Sequence, residues 1–171
     1  MPEEKIVVAR EGDVALVRIA GRATFKISRN LREFGMMAVR EGCAAFIVDL
    51  EQCTAMDSTV MGVFAMIGLE GRSSTDLIII NATELHRRLL DGIGLGKIWR
   101  YAARPTTNAT WRDLTEATAA TTEMADVAPT VLAAHRALMQ LKPENVPVFR
   151  DVVDMLSAEM DENPDSKKNR K

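Results

Sequence analysis

Residues 53–71 read CTAMDSTVMGVFAMIGLEG. One acid and two hydroxyls, Asp57-Ser58-Thr59, stand directly before a run that stays apolar until Glu70. The side-chain oxygens of Asp, Ser and Thr accept hydrogen bonds from the amides that the first turn of a helix leaves unpaired, so one of the three is expected as an N-cap. The helix behind it carries Val60, Met61, Val63, Phe64, Met66, Ile67 and Leu69, with almost no polar face. A helix that is apolar all round has to be covered all round. A sheet covers only one side. The rest must meet another element of the chain or another protein, and methionine suits a surface that adapts to its partner.

The text on either side of this stretch sets the fold class. Ala44-Ala45-Phe46-Ile47-Val48-Asp49-Leu50 and Leu77-Ile78-Ile79-Ile80-Asn81 are short and almost continuously apolar. Such runs suit strands covered on both faces, as in a parallel sheet. Strand, helix, strand is a βαβ unit with a right-handed crossover. Upstream, Ile6 to Arg10 and Val14 to Ala20 flank the turn signal Glu11-Gly12-Asp13 and predict a hairpin, ended at Gly21. Leu31, Phe34, Met37 and Ala38 then recur at helical spacing, with Ser28 or Asn30 as candidate cap and Gly42 to close the helix. Downstream, Thr83 to Leu90 reads as a helix capped by Thr83, and Ile98 to Tyr101 as a last strand.

Past Pro105 the composition shifts. Thr106 to Thr122 is rich in threonine and alanine, with Trp111 and Leu114 its only large apolar residues, and reads as a connection with a modest helix. Two amphipathic stripes follow, Val131, Leu132, His135, Leu138 and Met139, then Val146, Phe149, Val152, Val153, Leu156 and Met160, separated by Pro143. The expected division is 1–104 for the main domain, 105–126 for the connection, 127–160 for a helical extension and 161–171 for a disordered polar tail.

Composition narrows the function classes. Of the 171 residues 47% are hydrophobic and 27% charged, and the net charge of −2 lacks the basic excess of a nucleic-acid binder. No apolar run is long enough to span a membrane, and the first residues carry no basic region followed by an apolar segment, so a cytoplasmic protein without membrane insertion is expected. Cys43 and Cys53 are the only cysteines, with no histidine near them, and read as buried thiols or, second, as a redox pair. No metal or cofactor is expected. His86 and His135 fall within helical patterns and read as boundary residues satisfied by their neighbours. Gly92-Ile93-Gly94-Leu95-Gly96-Lys97 lacks the spacing of a phosphate loop and follows a helix instead of a strand. A catalytic constellation is absent from the sequence, so the chain is not expected to be an enzyme.

At the start of the apolar helix, free amides and the helix dipole favour an anion. A phosphate on Ser58 would add about −1.5 to −2 charges beside an apolar contact surface and oppose a partner bound there. Hairpin, helix, apolar strand, and then Met56-Asp57-Ser58-Thr59 opening an apolar helix resemble the STAS domain of bacterial anti-sigma factor antagonists, over about Ile6 to Ala103. The resemblance implies an α/β fold, a mixed β-sheet with helices packed on it, here followed by the helical extension. It implies Ser58 as the residue phosphorylated by a partner anti-sigma factor serine kinase, with Asp57, Thr59 and Gly62 completing the motif. A phosphatase would reset the switch. Val60, Met61, Phe64 and Met66 are then the expected partner interface. Val60 replaces a common family glycine, and Gly21 to Phe25 lacks an acid often found in that loop of antagonists. The other class is a non-switching STAS accessory subunit or scaffold, for example of a lipid-transport assembly, in which Asp57-Ser58-Thr59 is only a cap. The extension could dock on its own chain, extend a homodimer or bind a partner.

Overall fold

The computed structural model describes residues 4–105, 107–118 and 124–162. A hairpin, β1 (Lys5–Glu11) and β2 (Val14–Ala23), leads through a single 3-10 turn at Phe25–Ile27 into α1 (Ser28–Arg40). Then β3 (Ala45–Met56), α2 (Ser58–Gly71), β4 (Asp76–Ile80), α3 (Glu84–Gly92) and β5 (Arg100–Ala102) alternate, with a second 3-10 turn at Leu95–Lys97 before β5. The chain returns through β6 (Arg112–Asp113) and α4 (Leu114–Ala117) and ends in α5 (Met124–Leu141) and α6 (Asn145–Glu162).

The strands form one mixed sheet in the order β5-β4-β3-β2-β1-β6. β2, β3, β4 and β5 are mutually parallel, and β1 is antiparallel to both β2 and β6. Because the parallel strands advance in one direction, right-handed crossovers place α1, α2 and α3 on the same face. That face carries the main core. Phe46, Val48 and Leu50 of β3 point into it, against Leu31 and Phe34 of α1 and Val63, Phe64 and Ile67 of α2. Ile47, with Leu16, Ile78, Ile80 and Ala9, points to the other face, where Trp111 lies over the Arg18 guanidinium at 4.2 Å. Arg18 in turn pairs with the buried carboxylate of Asp49 at 3.1 Å, which also accepts from Asn81 Nδ2 at 2.8 Å. A buried charge is tolerated when it is paired and hydrogen-bonded in this way.

Several local expectations change. β2 does not end at Gly21. It continues to Ala23, with irregular pairing to β3 on either side of Gly21, whose φ of 71° suits glycine alone. β3 likewise outlasts its apolar run, because parallel pairing with β2 extends to Ala23 opposite Met56. Neither Ser28 nor Asn30 caps α1. Both are buried inside it, Ser28 donating to the Phe25 carbonyl and Asn30 to Thr118 Oγ1. The connection expected over 105–126 contains β6, paired with β1, as well as α4. Residues 106 and 119–123 of it lie outside the described residues. The expected disordered tail starts within α6, and 163–171 lie outside the described residues.

α3 is capped as expected, by Thr83, with His86 closing the reciprocal half of a capping box: Thr83 N–H donates to His86 Nδ1. Desolvation lowers the His86 pKa from its ordinary 6.5, offset in part by a hydrogen bond to the Cys53 backbone. Below pH 6.5 the unfolded chain therefore takes up a proton that the folded chain refuses. The stability this group contributes is present above that pH and is lost as pH falls through the folded value. His86→Gln retains a capping-box residue without the titration. We expect wild type, relative to H86Q, to lose urea resistance between about pH 7.5 and about pH 5; a constant difference between the two would refute the assignment.

Candidate functional site

β3 delivers Met56 to the edge of the sheet, and the chain turns into α2 at Asp57, which has extended backbone angles. Asp57 is the N-cap: its Oδ1 accepts from Val60 N–H at 3.0 Å. Its other oxygen accepts from Phe25 N–H at 2.6 Å, tying the end of β2 to the start of α2. One carboxylate therefore holds two segments that are remote in sequence.

Ser58 follows as the first residue of α2, and its hydroxyl meets His135 Nε2 of α5 at 2.9 Å. The other ring nitrogen, Nδ1, lies 2.7 Å from the Val131 carbonyl, which can only accept. Nδ1 therefore carries the proton, and in the neutral ring Nε2 accepts from Ser58 Oγ–H. The His135 ring is 4% exposed and packs on Phe149 of α6, with 5.5 Å between centroids. Ser58, His135 and Phe149 thus link α2, α5 and α6 in series.

One turn further along α2, Gly62 sets how closely α5 approaches. A methyl group built on it would lie 2.6 Å from the Ala134 carbonyl carbon and 2.7 Å from the Ala134 methyl. The two helices therefore touch nearly backbone to backbone. Of the three placements open to the extension, it docks on its own chain.

The predicted site residues come together as follows. Asp57, Ser58 and Thr59 are consecutive at the helix start, with Ser58 half-buried and Thr59 buried. Val60, Met61 and Phe64, expected as partner interface, are buried within the main core, and Met66 is half-buried against it. Val60 is fully enclosed, so its extra bulk is absorbed by packing. The apolar helix is covered by sheet, α1, Trp99 and α5 together, as its composition requires.

His135 is the residue that the sequence did not assign to the site. The available signal was a histidine within an apolar helical stripe, since a buried imidazole needs polar partners. A serine hydroxyl hydrogen-bonded to a fixed imidazole has the geometric elements of an activated nucleophile. Here, however, α5 itself lies over the hydroxyl, and no carboxylate orients the ring; a backbone carbonyl does.

The two cysteines sit near opposite ends of β3 and are unpaired, which rules out the redox pair. Burial pushes the Cys53 thiol up to about 11 and raises that of Cys43 as well, so both stay protonated at neutral pH. Among the described residues no cluster of metal-ligating side chains occurs, and no helix is long and apolar enough to cross a membrane.

A family model described as "Mlab, STAS domain" matches residues 6–100. No curated protein matches the chain. Among solved structures, the chain is similar to an anti-sigma factor antagonist from Mycobacterium paratuberculosis, with 18% identity and a TM-score of 0.51 over 62% of this chain and 89% of that one. This likeness shows the fold alone. The anti-sigma factor antagonist SpoIIAA in its unphosphorylated form aligns with 16% identity and a TM-score of 0.47, covering 63% of this chain and 90% of that one. The phosphorylated form of SpoIIAA, the Bacillus cell fate determinant, aligns with 19% identity and a TM-score of 0.47, covering 55% and 88%.

Proposed function

This chain belongs to the STAS domain family, and from that premise we propose that it is a regulatory binding protein of the anti-sigma factor antagonist type, switched at Ser58. The observation that carries the reading is the position of Ser58. It is the first residue of α2, after a carboxylate cap, at the rim of the sheet and of the apolar helix that a partner would engage. The kinase partner is an anti-sigma factor that uses a nucleoside triphosphate. Ser58 Oγ attacks the γ-phosphorus, the bond to the diphosphate leaving group breaks, and the serine proton passes to a base of the kinase. The resulting phosphomonoester carries about −1.5 to −2 charges and opposes an apolar partner at the same surface. A phosphatase restores the hydroxyl by hydrolysis.

Phosphopeptide mass spectrometry of the protein from its native host should find phosphate on Ser58. Ser58→Asp should weaken capture of the anti-sigma factor by about tenfold or more, and Ser58→Ala should leave it bound. Absence of the phosphopeptide together with full binding by S58D would overturn the reading.

Two observations favour a second reading, a non-switching accessory subunit of a lipid-transport assembly. The matched family is described by the name Mlab, and the Ser58 hydroxyl is already engaged by His135. Co-purification separates the two readings. An ATP-binding serine kinase supports the first, and a transporter subunit the second.

A further inference from the structure

The family match ends at residue 100, whereas the contacts that cover Ser58 come from α5, beyond it. Three features of that cover bear on what Ser58 can do. The hydroxyl donates to His135 Nε2 over 2.9 Å, and a phosphate on Oγ replaces the proton it donates, so this tie between α2 and α5 is lost on modification. One turn away, Gly62 and Ala134 hold the two helices close to backbone contact, so α5 cannot yield by a small shift without losing its seat. Asp57 already places a carboxylate at the helix N-terminus and accepts from the Val60 and Phe25 amides, so a second anion there meets a like charge. A phosphate forced into such a place disrupts it by repulsion and by the cost of desolvation.

We infer that the α5–α6 hairpin is an intramolecular cover over Ser58, and that docking of α5 and phosphorylation of Ser58 exclude each other. The inference rests on reading Ser58 as the modified residue and adds that the switch acts first on the chain's own helix. Modification then requires α5 to lift. Once it has lifted, the uncovered flank of α2 is apolar, so a partner docking there competes with α5 for the same surface. Because Ser58 lies at the half-buried rim of the helix pair, a pivot of α5 exposes it without opening the sheet.

The test uses the full chain. With phosphoserine installed at position 58 by genetic-code expansion, amide hydrogen exchange in α5 and α6 should accelerate by about tenfold or more, while β2, β3 and β4 keep their protection. Unchanged or slower exchange in α5 would mean that His135 accommodates or clamps the phosphate, and would overturn the inference.

A second measurement needs no phosphate. Ser58→Cys is alkylated with iodoacetamide in the otherwise wild-type chain and in one also carrying Ala134→Glu, which wedges α5 away from Gly62. Cys43, 1% exposed, reports global unfolding in the same sample. The wedge should speed alkylation at position 58 by about tenfold or more and leave Cys43 protected. Equal rates at position 58 with and without the wedge would refute the cover. If the wedge unfolds the chain, Cys43 reacts too, and the phosphoserine exchange decides. Absence of Ser58 phosphate in native cells would overturn the switch reading but would leave the exchange result standing.

Discussion

Trp99→Ala is expected to lower the stability of the fold by about 3–5 kcal/mol, the range for truncating a buried aromatic side chain. Trp99 is 1% exposed and stands edge-on to Phe46 at 5.9 Å and to Phe64 at 5.8 Å. Its indole N–H donates to the Phe64 carbonyl in the middle of α2, at 3.0 Å. It approaches that closely because residue 68 is glycine: a methyl there would lie 2.9 Å from the indole nitrogen. The side chain thus fastens α2 to the segment that enters β5, and its loss leaves a cavity between them. Trp99→Phe keeps most of the apolar volume but loses the N–H donor, so its cost should fall to about 1–2 kcal/mol. Urea unfolding followed by far-ultraviolet circular dichroism measures both. A W99A midpoint within error of wild type would show that the tryptophan does not anchor α2.

The second large effect is expected at Asp57. Asp57→Ala removes the N-cap of α2 and the acceptor for Phe25 N–H together, at a cost of about 2–3 kcal/mol. Asp57→Asn separates the two roles. Its amide oxygen can still accept from Val60 N–H, but its NH2 group then faces the Phe25 donor, so an intermediate loss of about 1–2 kcal/mol is expected. Amide exchange at Phe25 and Val60 distinguishes them: D57A should expose both, and D57N chiefly Phe25. If D57A costs less than about 0.5 kcal/mol, the carboxylate is not holding the two segments together.

These residues also show how far the sequence alone could be read. Asp57 as a cap followed from its place before an apolar helical run, because capping is local chemistry and its signal lies within four residues. Thr83 was legible in the same way. The parallel strands were legible because strands buried on both faces need apolar runs. Glu51 and Gln52 interrupt such a run, so the true end of β3 was hidden; it depends on pairing with β2, over residues remote in sequence. β6 is only two residues long and owes its existence to the open edge of β1. The pairing of His135 with Ser58 spans 77 positions, and no local pattern encodes it. What the sequence did contain was the demand for a cover: α2 is apolar on every side. That demand did not say whether the cover was the chain's own helix or a partner.

The pairing of β6 with β1 also has a consequence for synthesis. Val7 meets Asp113 roughly a hundred residues later, so this is the sheet contact with the costliest loop closure. A chain emerging from the ribosome can complete β1 to β5 and the three crossover helices while the outer edge of β1 still shows its unpaired amides and carbonyls. Exposed edges of that kind recruit other strands. Until Asp113 has emerged, that edge stays open to pairing with a neighbouring strand.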